Sequence, residues 1–306
     1  MRLTDGLRFA LGTLSVLPVR VERVDRQVAG RAMTLAPAVG LLLGLLAALP
    51  LLLPAPPLLG AALAVGLLAV LTRGLHLDGL ADLADGLGSG KPADRALDIM
   101  KKSDIGPFGV MALVLTLLIQ VVALADAGLW ALVTACVAGR LALTWACRSG
   151  VPAARTDGLG AMVAGTVRHA SAWSATLAAL LTAAVIGLLT APGSGLWAWD
   201  GPTGWDSLFP TAADEPPFLA PGERSLGAHH AQPQDLVAVA VSGGAGTEAR
   251  LSGVVLAPVA LLAGLGCALL LLAHARRRLG GITGDVLGAL VETATATTLV
   301  VYAILG

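Results

Sequence analysis

The chain has 306 residues, of which 56% are hydrophobic and 13% charged, and its mean hydropathy of +0.81 excludes an ordinary soluble globular domain. Its formal net charge is zero, so no global basic field points to nucleic acid as a partner. The apolar residues are Leu, Ala, Val and Gly with only 4% aromatics, a composition suited to close helix packing in a lipid bilayer.

The N-terminus interleaves Arg2, Asp5 and Arg8 with Leu and Phe. It lacks the uninterrupted apolar region of a cleaved signal peptide and reads as an interfacial amphipathic helix. Apolar windows of span length follow near 35–53, 57–75, 107–125, 129–147, 172–191, 252–273 and 286–305. The predicted fold is therefore all-α: a polytopic integral membrane helical bundle of about seven transmembrane helices plus the N-terminal interfacial helix, forming one membrane-embedded domain over 1–306. Pro54, Pro56 and Pro57 separate the first two windows as a tight hairpin, because each removes a backbone donor.

The stretch 192–250 is rich in Pro, Gly, Trp and acids and has no helical or strand period. It is expected to form a disordered extracytoplasmic loop. Trp197, Trp199 and Trp205 could sit at the interface; His229 and His230 could bind metal, although a solvated insertion without chemistry accounts for them more simply. Cys136, Cys147 and Cys267 fall in apolar runs at spacings that suit neither zinc nor a disulfide framework, and read as packed side chains. No internal repeat stands out, which weakens a secondary-transporter reading.

Orientation follows from the basic residues. With the N-terminus inside, only Arg224 and Arg250 of the 20 Lys and Arg residues fall in outer segments, and Arg140 lies within a span. This predicts a multi-pass protein of the cell inner (plasma) membrane with a cytoplasmic N-terminus, an outer C-terminus and its polar clusters on the cytoplasmic side.

The segment Arg73-Gly-Leu-His-Leu-Asp-Gly-Leu-Ala-Asp-Leu-Ala-Asp-Gly-Leu-Gly-Ser-Gly90 spaces Asp78, Asp82 and Asp85 by four and then three residues. On a helix they share one face, where three carboxylates repel unless a cation sits among them. A hard divalent ion such as Mg2+ suits these oxygens and bridges readily to substrate phosphates. The alternative is a solvated acidic face, but Leu80, Ala81, Leu83 and Ala84 argue for a packed helix. Gly88-Ser-Gly-Lys91 is not a P-loop, since Asp85 and Pro92 stand where that pattern requires Gly and Ser or Thr. Beyond it, Lys101 and Lys102 either neutralise substrate phosphates or are ordinary positive-inside charge.

A second cluster, Arg276-Arg-Arg-Leu-Gly-Gly-Ile-Thr-Gly-Asp285, ends in a Gly-rich turn whose backbone amides can approach an anion at a helix N-terminus. Glu292 follows seven residues after Asp285, on the same face and roughly 10 Å deeper. A carboxylate there costs on the order of 2 to 3 kcal/mol unless paired or functional. Arg140, mid-span, is a similar case, and the two could simply form a structural pair.

These motifs resemble the cobalamin-5′-phosphate synthase family, whose members are also called adenosylcobinamide-GDP ribazoletransferases. The likeness covers most of the chain: Leu17-Pro-Val, Pro37-Ala-Val-Gly40 with Gly44, Gly74-Leu-His-Leu-Asp-Gly-Leu-Ala-Asp-Leu-Ala-Asp-Gly86, Asp98-Ile-Met-Lys with Gly106 and Gly109, Gly139-Arg140, Gly158-Leu-Gly160, and Leu279-Gly-Gly-Ile-Thr-Gly-Asp-Val-Leu-Gly-Ala-Leu-Val-Glu292. Lys102 stands where the family usually has an acid, with Asp104 two positions on, and 192–250 is longer than the family pattern.

The resemblance implies Mg2+-dependent joining of adenosylcobinamide-GDP to α-ribazole or its 5′-phosphate, with release of GMP. On that reading Asp78, Asp82, Asp85 and Asp285 hold Mg2+. Lys101, Arg140, Arg277 and the turn at Gly281 and Gly284 contact the diphosphate, and His76 or Glu292 acts as base alongside Asp82. The oligomeric state stays open, a homo-oligomer included. Two rivals remain, a CDP-alcohol phosphotransferase, whose Ala-Arg pair after the first Asp-Gly is missing here, and an ion-coupled transporter.

Overall fold

The structure, a computed structural model, describes residues 3–102, 104–190 and 253–306. The loop expected at 192–250, with its tryptophans and histidines, lies outside the described residues. Among the described residues the regular structure is helical, with two isolated bridges, Arg148 with Val167 and Ala153 with Ile282.

Helix α1 (Leu3–Leu14) buries Phe9, Ala10 and Leu14 against α2 (Arg26–Ala47). Asp25 starts α2 by accepting the backbone N–H groups of Gln27 and Val28, each at 2.9 Å. The Val28 bond foremost, with Arg23 beside it, holds the Asp25 carboxyl below its ordinary value. A 3-10 turn (Leu49–Leu52) and the proline cluster then break the chain before α3 (Pro57–Leu71), as the prolines predict. Helix α4 (Leu75–Gly88) leaves α3 at 89°. Arg73 and Gly74, with φ of 55° and 66°, make that bend. Then come α5 (Ala93–Ile99), α6 (Pro107–Ala146), α7 (Gly158–Val163), α8 (His169–Leu189), α9 (Gly253–Leu279) and α10 (Gly284–Leu305).

Among the described residues 5 helices are long and apolar enough to cross a membrane, or 6 if the bent pair α3–α4 is one span. The expected count of about seven is not confirmed by this tally, in which the windows 107–125 and 129–147 share α6 and the window 57–75 covers one arm of the bent pair. Helix α6 is not straight, however: Gly128 leaves helical geometry at φ 76, ψ −175. Gln120 before this break and Gly139 after it both lie beside the Val291–Glu292 stretch of α10. The chain therefore doubles back at Gly128, a turn that a left-handed residue without Cβ permits.

Helix α10 is the centre of the bundle, with α6, α9 and α4 around it and α2 packed on α6. Small residues set these approaches. A Cβ on Gly40 would run into the Cys136 carbonyl, and would lie 3.2 Å from the Arg140 Cβ. Pro37 has no N–H to give the Met33 carbonyl one turn earlier, and Thr144 of α6 donates to that carbonyl instead, at 2.7 Å. Gly40→Ala is expected to cost about 1–3 kcal/mol by forcing α2 off α6, read as a lower unfolding temperature of the purified protein; an unchanged temperature would contradict this packing.

Outside, Leu118 and Val122 of α6, Leu177 and Leu181 of α8 and Leu270 of α9 are exposed. Large apolar side chains facing out along whole helices mark a lipid-facing surface. The chain is a multi-pass membrane protein.

Candidate active site

The three aspartates of α4 do not share one fate. Asp85 is buried, and both of its oxygens accept backbone N–H groups, from Gly106 at 2.7 Å and Gly109 at 2.9 Å. It caps the N-terminus of α6, where a negative charge is favourable. Gly106 and Gly109 lie so close to this carboxylate that a Cβ on either would overlap it.

Asp82 is half-buried and Asp78 exposed. The charges that act on Asp82 are Asp78, Asp285, Asp85 and one cation, Arg155. Asp285 joins α4 from the first turn of α10 because Gly79 packs on its backbone; a Cβ at Gly79 would lie 2.8 Å from the Asp285 carbonyl oxygen. Thr283 caps α10 by accepting from the Val286 N–H, and donates to the Asp285 carboxylate at 3.1 Å. Arg155 Nη1 stands 3.7 Å from the same carboxylate while Nη2 donates to the Leu97 carbonyl at 2.6 Å.

Asp78 and Asp82 line a cleft of about 450 Å³ with Met100, Lys101, Lys102 and Asp104. Its volume suits a nucleotide-sized group. Lys101 also lies 3.8 Å from Asp157, both side chains being exposed. Lys102 and Asp104, the departure from the family pattern, thus face the same space as the aspartates.

A second polar layer lies inside the bundle. His76, Arg140 and Glu292 are 3%, 1% and 7% exposed. Glu292 accepts from Gln120 Nε2 at 2.7 Å and makes no direct ion pair with Arg140. The Arg140 guanidinium nitrogens and His76 Nε2 have no hydrogen-bond partner among the described residues. His76 is fixed by Gly288, whose Cβ would lie 3.0 Å from the His76 carbonyl oxygen. None of these side chains lines the cleft.

The Gly-rich turn serves packing on one side. Gly281 is buried against the backbone of Pro152–Ala154, and Ile282 exchanges hydrogen bonds with Pro152 and Ala154 at 3.0 Å each. Gly284 opens α10 with room around it. Arg277 is exposed on the last turn of α9 and is not among the charges acting on Asp82 or Asp285. Arg155 and Gln120 escaped the sequence reading. Arg155 counted only as positive-inside charge, although it stands just before Gly158-Leu-Gly160; Gln120 is one polar residue in an apolar run, where only Glu292 could have signalled a partner.

Among the described residues no three His, Cys, Asp or Glu side chains close into a ready metal cage. Mg2+ asks less, since it commonly uses one or two carboxylates and completes its shell with water and phosphate. Asp78, Asp82 and Asp285 are hard oxygen donors, and at Asp82 the repulsion of the other carboxylates is offset by Arg155, so the donor set fits Mg2+ as an open site.

A family model described as cobalamin-5-phosphate synthase matches residues 6–201 and 215–303. A relative from Frankia casuarinae, named adenosylcobinamide-GDP ribazoletransferase, is 40% identical over 97% of this chain and 93% of its own length. Relatives of the same name are 47% identical over 60% of this chain and 82% of their own length in a Nocardioides species, and 32% identical over 99% and 92% in Corynebacterium efficiens. No solved structure matches the chain.

Proposed function

Since the chain belongs to the cobalamin-5-phosphate synthase family, we propose that it is an adenosylcobinamide-GDP ribazoletransferase, acting in the last steps of cobalamin synthesis. It joins adenosylcobinamide-GDP to α-ribazole or its 5′-phosphate, giving adenosylcobalamin or its phosphate and GMP. The observation that carries this reading beyond the names is the cleft in which Asp78 and Asp82, backed by Asp285, face Lys101 and Lys102.

In the reaction a ribose hydroxyl attacks the phosphorus on the cobinamide side of the diphosphate. The bond from that phosphorus to the bridging oxygen breaks, GMP leaves with the oxygen, and the hydroxyl proton passes to a base. Such a transfer needs neutralised phosphate charge and in-line positioning more than covalent help. Lys101 and Lys102 supply positive charge on one wall. Bound Mg2+, held by Asp78, Asp82 and Asp285, would supply the rest by screening the phosphate oxygens. Arg155 fixes the Asp285 carboxylate, and Asp85 holds the N-terminus of α6 at the cleft. Of the candidate bases only Asp82 lines the cleft; Glu292 ties α10 to α6 through Gln120 behind it, and His76 and Arg140 lie buried in the same layer. The distribution of Lys and Arg supports an inner-membrane protein with this end in the cytoplasm.

Detergent-purified protein given both substrates is expected to release GMP with Mg2+, to stop when EDTA removes the metal, and to recover when Mg2+ is restored. Release unaffected by EDTA would remove the metal from the mechanism. No release under any condition, with uptake of labelled substrate into vesicles, would favour the transporter.

A further inference from the structure

Away from the cleft, two arginines converge on the 145–150 segment without a carboxylate. Arg148, just after α6, donates to the Trp145 carbonyl at 2.8 Å, and its guanidinium lies 5.5 Å from the centre of the Trp145 ring. Arg276, in the last turn of α9, donates to the Gly150 carbonyl at 3.4 Å. Among the described residues neither has an ion-pair partner. Partial burial, then the positive charge of Arg276, lowers the Arg148 pKa. Two cations that bond carbonyls of one segment, with no carboxylate on either, call for an anion.

The surroundings identify which anion. Trp145 meets Trp173 edge to face, with centroids 5.0 Å apart, and its Nε1 donates to Thr176 at 2.9 Å. Trp173 is 62% exposed near the start of α8 and heads a stripe on one face of that helix, with Leu177 and Leu181 exposed to 60% and 59%. A tryptophan pair beside arginines, where an outward apolar face begins, is the arrangement of a membrane–water boundary. A soluble phosphate would have no use for the stripe, whereas a phospholipid would lay its acyl chains on it.

We propose that Arg148 and Arg276, with the Trp145–Trp173 pair, form a site for the headgroup phosphate of an anionic phospholipid, whose acyl chains run along the Leu177–Leu181 face of α8. This is independent of the transferase reading, since none of these side chains lines the catalytic cleft. The site would tie the loop after α6 to the end of α9 at the membrane surface.

The test is native mass spectrometry of the full chain in detergent with equimolar phosphatidylglycerol and phosphatidylcholine. The expected result is a preference of roughly tenfold for phosphatidylglycerol in the first lipid adduct. It should fall toward parity in the double variant Arg148→Gln/Arg276→Gln and part of the way in Arg276→Gln alone, whose wild-type side chain makes only the 3.4 Å bond. The single variant keeps the test usable if the double one fails to elute as a monodisperse protein. Equal adducts in the wild type, or an unchanged preference in Arg276→Gln, would overturn the proposal. Displacement of phosphatidylglycerol by millimolar inorganic phosphate would do so too, by showing a site for soluble phosphate.

Discussion

Asp82→Asn is expected to lower GMP release at least about a hundredfold in kcat/KM while the protein still extracts and elutes as the wild type does. The two halves of this prediction have one cause. Asp82 has Asp78, Asp285 and Asp85 around it and Arg155 to offset them, so removing its charge relieves repulsion and breaks no side-chain hydrogen bond among the described residues. A folding defect is therefore not expected. The same removal takes away a hard donor from the open site proposed for Mg2+. Thermal unfolding separates metal binding from chemistry. Mg2+ at about 100 times its dissociation constant should stabilise the wild type by about 2.7 kcal/mol and leave Asp82→Asn unmoved, whereas in EDTA the mutant should be no less stable than the wild type. Full activity in Asp82→Asn would sink the metal assignment.

Asp85→Ala, three residues on, should behave in the opposite way. It removes the acceptor of two backbone N–H groups at the start of α6, which then stand in a buried setting without a partner. The expected loss is about 2–4 kcal/mol, seen as an unfolding temperature lower by roughly 5–10 °C. Asp85→Asn keeps an acceptor for one of the two and should lose about half as much. Per folded molecule, GMP release by Asp85→Asn should stay within about tenfold of wild type, because Asp85 shapes the cleft without lining it. If instead Asp85→Asn unfolds at the wild-type temperature and is inactive, Asp85 is a metal ligand and the division of labour drawn above is wrong.

The contrast between these neighbours shows how far the sequence reaches. The spacing of Asp78, Asp82 and Asp85 fixes their angle around α4, and the helix does run over Leu75–Gly88 as that spacing requires. Angle does not reveal what stands opposite. The N-terminus of α6 meets Asp85, Asp285 of α10 meets Asp82, and the cleft opens at Asp78. The depth of Arg140 and Glu292 was legible, because an ion inside an apolar run must lie within the bundle. That they would not pair directly was not, since Gln120, twenty residues from Arg140 along the chain, reaches Glu292 only because α6 doubles back at Gly128. Gly281 read as a phosphate-facing glycine from its place in a Gly-rich turn, yet the 152–154 backbone occupies its open side.

By itself the sequence determined that this is a helical membrane protein, because apolar runs of span length have no other stable environment. It also pointed to the α4 aspartates and the start of α10 as the candidate site, because clustered carboxylates are unfavourable without a cationic or functional reason. Only the tertiary structure decided which carboxylates remain open to a cleft and which are spent on backbone amides. It also set Arg155 beside Asp285 as a counter-charge and buried Arg140 in the bundle, outside the lining of the cleft. The physical reason is common to all three: a side chain's role is settled by the group it meets, and in this bundle that group comes from a helix distant in sequence, brought close where glycines let the backbones touch.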